Sequence, residues 1–239
     1  MTYTNGLNIL PLFNGSKVVA YNEGFLCVYP TNFFEVYDDF VSPINNWNQN
    51  TGNGGSTNYQ TQSPSGRPGI WKGTTGTSGT GYATIQSFEQ NFNLSGGQFY
   101  FETSINIPVL STSGNRFTVL AGFCDSYQGT EGNNGIFFLY TDATDGGNWQ
   151  AITYASDVTT STNTGVAAVT GWTKLGILIN ATATSVGYYI NGTLVATNTT
   201  NIPTADCGCV VWVAQSAGST SVTLESDYFW IYQFLTNTR

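Results

Sequence analysis

The sequence predicts an all-β protein: an antiparallel two-sheet jelly-roll sandwich preceded by an N-terminal arm. Apolar and polar residues alternate in run after run, Gly, Asn, Ser or Pro separates the runs, and no stretch keeps apolar residues at helical spacing over three turns. Many strands with regularly spaced turns favour a sandwich over a parallel sheet with crossover helices. Of 239 residues, 40% are hydrophobic and 15% aromatic, enough for a large core, while only 8% are charged. The polar surface therefore rests on Thr, Asn, Ser and Gly, and Thr shares the β-branched shape that suits a pleat.

Residues 1–36 contain two short apolar runs, Lys17 to Tyr21 and Phe25 to Tyr29, and read as an arm or a set of docking strands. Leu10, Leu12, Phe13, Val18, Val19 and Phe25 need burial, because a solvated tail would expose them. A neighbouring subunit or a particle shell would provide it; the alternative, that the arm adds strands to its own sandwich, stays open. Residues 37–239 form the sandwich. Within it, 48–81 is rich in Gly, Asn, Thr and Ser and reads as a long loop system.

From Gln98 to Pro108 the alternation is clean: Phe99, Phe101, Thr103, Ile105 and Ile107 share one face, and Tyr100, Glu102, Ser104 and Asn106 the other. Similar runs are Arg116 to Asp125, Gly135 to Thr141, Trp149 to Ala155, Trp172 to Asn180, Ser185 to Ile190, Thr193 to Asn198, Cys209 to Ala214 and Ser221 to Leu235. The Thr-rich stretch 156–170 reads as a connection with strand-compatible residues at its end. Asn191-Gly192 between VGYYI and TLVAT is a hairpin signal, because a two-residue primed turn needs positive φ at both central positions.

From Tyr37 onward the order of elements resembles the concanavalin A-like, or laminin G-like, jelly roll of the kind found in tailed-phage virion proteins. The resemblance rests on Asp38-Asp39-Phe40 with Trp47, on FYFETSINIPV and RFTVLAGFCDS, on GWTKLGILINATATSVGYYINGTLVATNTTNIP, and on the closing SDYFWIYQF. It implies a virion structural protein, either capsid-decorating (a cement or head protein) or tail-associated. Other virion proteins and further copies of the chain would be its partners. The alternative is a carbohydrate-binding module of a phage fibre that recognises a host-receptor glycan, and a glycanase stands third. The metal-binding loop of legume lectins and the Glu-x-Asp-x-(x)-Glu triplet of the fold's glycanases are both missing from this sequence.

Composition narrows the chemistry further. The absence of histidine removes Ser/His/Asp and Cys/His catalysis and the commonest metal ligand, and no enzyme activity and no cofactor are expected. Glu225 and Asp227 lie two apart on the last strand and could serve as a carboxylate pair, although a solvent-facing edge position explains them equally well. The loops 125–134 and 142–148 offer calcium-type oxygen ligands in Asp125, Glu131, Asp142 and Asp145, yet neither follows an ordered calcium motif and Asp is a default turn residue. No metal is expected. Trp47, Trp71 and Tyr127 are the candidates for stacking on sugar rings. Cys27, Cys124, Cys207 and Cys209 read as buried free thiols, since Cys207 and Cys209 share a strand face at too great a separation for an easy bridge.

Fourteen acidic residues face six scattered basic ones, a net charge of -8, so neither a nucleic acid nor an anionic membrane is an expected partner. Met1 to Leu10 lacks the pattern of a signal peptide and no apolar run approaches ~20 residues. A virion location, with synthesis in the host cytoplasm, is the expectation that follows.

Overall fold

The structure is a computed structural model that describes residues 18–22, 25–28, 33–41, 47–62, 66–87, 89–126, 129 and 131–236. In chain order its strands are β1 (Val18–Asn22), β2 (Phe25–Val28), β3 (Phe33–Asp38), β4 (Asn48–Gly52), β5 (Ser56–Gln62), β6 (Pro68–Thr74), β7 (Tyr82–Gln86), β8 (Phe92–Asn93) and β9 (Gly97–Ile107). They continue with β10 (Phe117–Cys124), β11 (Gly135–Tyr140), β12 (Asn148–Ala155), β13 (Val158–Ala167), β14 (Gly171–Ile179), β15 (Val186–Ile190), β16 (Thr193–Asn198), β17 (Asp206–Gln215) and β18 (Thr223–Leu235).

Two antiparallel sheets stack into the expected jelly-roll sandwich. The first runs β13-β12-β11-β10-β17-β7-β4, with β8 on the end of β17; the second runs β16-β15-β14-β9-β18-β6-β5, with β3 on the far half of β18. The core between them follows from the period of two along each strand. Phe99, Phe101 and Ile105 of β9, Val119, Ala121 and Phe123 of β10, and Phe229 and Ile231 of β18 are all fully buried there. A smaller apolar cluster of Leu120, Phe137, Ile152, Val210 and Trp212 lies apart from this core. Its members occupy the alternate positions of β10, β11, β12 and β17, so it belongs to the other face of the first sheet. Gly129 packs over part of that face: a Cβ added there would come within 3.3 Å of the Ala214 Cβ.

The hairpin at Asn191-Gly192 forms between β15 and β16, with φ of 51° and 81° at its two central residues, as a primed turn demands. Three expectations need correction. Residues 48–81 are not a loop system but carry β4, β5 and β6, whose glycines meet packing needs. A Cβ at Gly73 would strike the Trp71 ring at 2.5 Å, so glycine at 73 makes room for that indole. Residues 158–167 form the edge strand β13, whose alternate residues are exposed and which therefore shows no apolar period. The boundary after residue 36 cuts through β3, which pairs with β18 from Phe33 to Asp38, so the sandwich begins at Phe33.

Of the arm residues, Val18 and Val19 lie on β1 and Phe25 on β2, a hairpin that forms its own two-stranded sheet. Leu10, Leu12 and Phe13 lie outside the described residues.

Candidate functional site on the outer face of the second sheet

Two of the expected sugar platforms are core residues. Trp47 is 7% exposed, packs edge-on against Phe229 at 4.8 Å and donates its Nε1 hydrogen to Asp38 Oδ2 at 2.8 Å. Trp71 is fully buried, with Nε1 donating to Gln49 Oε1. Each indole fills inter-sheet space and satisfies its one donor inside the fold, so neither ring is open to a ligand. Tyr127 lies outside the described residues.

The oxygen-rich loops are tied down by their own hydrogen bonds. Asp125 accepts from the backbone N–H of Asn133 and Asn134 and from the Asn134 amide, at 2.8, 3.1 and 2.9 Å. Asp142 is clasped by Arg116 through two bonds of 3.0 and 3.1 Å and by the Ser111 hydroxyl at 2.6 Å, and these contacts hold its carboxyl below the usual range. Glu131 lines a cleft beside Trp212 and Tyr154, where desolvation raises its carboxyl. Asp145 begins a short 3-10 turn, Asp145–Gly147. Among the described residues, no three acidic, Cys or His side chains are grouped so as to hold a metal ion.

Glu225 and Asp227 are not on an edge, because β18 lies between β9 and β6. A bulge between Ser226 and Phe229 follows Glu225, and both carboxylates reach partners on the outer face of the second sheet. Glu225 accepts from the Asn106 amide at 2.8 Å, and Asp227 pairs with Arg67, whose guanidinium lies 4.4 Å from the Trp172 ring centre. Burial raises the Asp227 carboxyl and Arg67 pulls it back. Cys124, Cys207 and Cys209 are free, buried thiols; desolvation pushes Cys124 up to about 12 and raises the other two, which leaves all three unreactive.

A different set of residues converges on the outer face of the second sheet. The alternation that buries Phe99, Phe101 and Thr103 turns Tyr100 and Glu102 outward on β9. Beyond the bulge, the same rule turns Trp230 outward on β18 while Phe229 and Ile231 enter the core. Strand register then aligns Tyr37, Trp230, Glu102, Gly176 and Tyr189 in one row across β3, β18, β9, β14 and β15.

Glu102 is the polar centre of this row. Its two carboxylate oxygens accept from the Tyr100 hydroxyl at 2.5 Å and the Tyr228 hydroxyl at 2.7 Å, and Lys174 Nζ stands 3.5 Å away. Desolvation first, and then the bond to Glu102, raise both phenols well above their ordinary range, so both remain donors. The rings are fixed as firmly as the hydroxyls. Tyr100 meets Trp230 edge-on at 5.3 Å, Tyr37 stacks on Tyr228 at 5.8 Å, and the Trp230 N–H donates to Glu35 at 2.9 Å. A Cβ at Gly176 would lie 3.1 Å from the Tyr100 hydroxyl, so the glycine keeps the floor low beneath it. Beside the row, Gln98, Tyr100, Leu178, Trp230, Tyr232 and Phe234 line a mainly apolar depression of roughly 300 Å³.

Sequence reading missed this face. The available signal was that the outward positions of FYFETS and DYFWIYQF are Tyr, Glu, Tyr and Trp where a bare solvent face would carry Ser and Thr.

The model of the family described as "SO2946-like, C-terminal domain" matches residues 66–227. The chain belongs to this family. No curated protein matches the sequence. Among solved structures, the SO2946-like fold is similar to SO2946 itself, a protein of unknown function from Shewanella oneidensis MR-1. The identity is 14%, the match covers 87% of this chain and 90% of that one, and the TM-score is 0.61. The carbohydrate recognition domain of Emp47p is similar at 11% identity, over 82% of this chain and 94% of that one, with a TM-score of 0.57. A carbohydrate esterase of the Shiga toxin-encoding bacteriophage phi24B is similar at 12% identity, over 80% of this chain and 91% of that one, with a TM-score of 0.52. At these identities the likeness is one of fold.

Proposed function

We propose that this SO2946-like domain binds carbohydrate on the outer face of the second sheet and performs no catalysis. The observation that carries the reading is the row from Tyr37 to Tyr189, in which fixed aromatic rings flank a hydrogen-bonded carboxylate. Rings offer a flat apolar surface to the C–H face of a sugar, and a carboxylate accepts from its hydroxyls. Two of the similar folds are named for carbohydrates, which supports the reading. Glycoside hydrolysis needs two carboxyl groups free to act on the scissile bond. On this face Glu102, Glu225 and Asp227 each already serve a structural partner, which favours binding over turnover.

A virion setting, as a capsid-decorating or tail-associated component assembled in the host cytoplasm, is the second reading. The phage origin of one similar structure favours it. The two readings are compatible, because a receptor-binding module on a virion satisfies both.

A glycan array probed with the purified chain and with Trp230→Ala tests the proposal. Wild type should give discrete positives and the variant should lose them by at least tenfold, about 1.4 kcal/mol, while circular dichroism shows that the variant remains folded. Positives that survive in Trp230→Ala would move the site elsewhere.

A further inference from the structure

We infer that the outer face of the second sheet is built for a neutral oligosaccharide of at least three units lying across the strands, and not for a terminal monosaccharide. The inference rests on the carbohydrate reading above and adds the length and charge of the ligand.

Length follows from the register. Trp230 on β18 and Tyr189 on β15 belong to the same row with β9 and β14 between them, so they stand three strand spacings apart, about 14 Å. With ring bonds of about 1.5 Å, one pyranose and its hydroxyls span about 6 Å. A single sugar reaches one aromatic platform only, and a chain of three reaches both. The floor between them suits such a chain. Gly176 carries no side chain, Tyr100 fills the space beside it, and Glu102 has used two of its roughly four acceptor positions on Tyr100 and Tyr228, with Lys174 standing 3.5 Å away as an ion-pair partner. The acceptor capacity that remains is open to a sugar hydroxyl. Both ends of the row continue into exposed apolar surface, Tyr37 at 61% and Leu194, which pairs with Tyr189, at 52%.

Charge follows from the side chains beside the row. Glu35 and Glu102 lie on the row, and the cations near it are already paired: Lys174 lies against Glu102, and Arg67 is held by Asp227. A uronic or sialic acid carboxylate placed there would meet like charge, whereas a neutral sugar meets acceptors for its hydroxyls.

The test is calorimetric titration of the full chain with the mono-, di-, tri- and hexasaccharides of the cello-, malto- and chito- series, and with oligogalacturonides. For at least one neutral series, affinity should rise at least tenfold from monomer to trimer, and oligogalacturonides should not bind. Tyr189→Ala should reduce the trimer to the affinity of the monomer, while Trp230→Ala should weaken every length. A monomer that binds as tightly as its trimer, or a length dependence that survives Tyr189→Ala, overturns the inference and leaves carbohydrate binding standing. Failure of every probe overturns both. If sedimentation instead reveals a dimer that Trp230→Ala dissolves, the face holds a second copy of the chain and the inference is wrong.

Discussion

The Tyr228 hydroxyl donates to Glu102 across the junction of β18 and β9, 2.7 Å from an oxygen of a side chain 126 positions away in sequence. Tyr100, two residues from Glu102 on the same strand, donates to its other oxygen. A carboxylate only 9% exposed is thereby kept satisfied on what would otherwise be a bare sheet face.

Glu102→Ala should therefore cost about 1–3 kcal/mol, because two phenols and Lys174 lose their shared acceptor. The sign of the pH effect follows from the raised phenols. Tyr100 and Tyr228 hold their protons more tightly folded than unfolded, so their contribution is complete below the ordinary phenol value of about 10 and is lost as pH rises through the folded values. The melting temperature should begin to fall above about pH 8.5, where unfolded thiols ionise while Cys124, Cys207 and Cys209 keep their protons, and fall more steeply beyond about pH 10 as the two phenols add their share. In Glu102→Ala, spectrophotometric titration should show both phenols ionising earlier, yet still above the ordinary value, since desolvation is the larger cause and remains. An unchanged tyrosine titration would remove Glu102 from the cluster.

Asp125 accepts three hydrogen bonds from Asn133 and Asn134, and those bonds satisfy its carboxylate without a cation. Chelator should leave the melting temperature unchanged, while Asp125→Ala lowers it by about 1–3 kcal/mol of stability. A loss of several degrees in EDTA that calcium restores would show that a cation does share this loop, or the one around Asp142 and Asp145.

At Gly192, φ is +81° and a Cβ added there would meet nothing within 4 Å, so the cost of a side chain is one of backbone conformation alone. Gly192→Val should destabilise by about 1–3 kcal/mol, and Gly192→Asn by much less, because Asn tolerates the left-handed region. Equal melting of the Val and Asn variants would show that the turn relaxes into another form.

How far the sequence discloses the fold depends on where each strand lies. The strands β9, β14, β15 and β16 are legible because each buries one face and is bounded by a turn with its own chemistry, as at Asn191-Gly192. The edge strands β5 and β13 are not, since Thr and Asn on an edge carry no apolar period. At Trp71 the Gly-rich surroundings suggest exposure, when Gly73 is what lets the ring lie inside. The aromatic and acidic face is invisible for a further reason. Glu102 and Trp230 become neighbours only through the register of β9 against β18, and no local pattern encodes that pairing.

The start of the sandwich at Phe33 separates two truncations that sequence alone would treat alike. Phe33 stacks on Tyr232 at 5.7 Å, Phe34 meets Phe92 at 6.2 Å, and β3 pairs with β18 along its whole length. Removing residues 1–36 takes away both phenylalanines and four of the six residues of β3, leaving that half of β18 without its outer neighbour. Removing residues 1–32 leaves β3 complete. The shorter deletion should be soluble and melt close to the full chain. The longer one should melt well below it, since it removes two half-buried phenylalanines, each contributing up to about 1.5–3 kcal/mol, together with the pairing of β3 to β18. Sedimentation of the shorter deletion also tests the arm: loss of self-association with an unchanged melting temperature is the expected result if Val18, Val19 and Phe25 serve docking. An insoluble 1–32 deletion would instead make the arm part of the fold, and equal melting of the two deletions would mean that β3 contributes nothing to the second sheet.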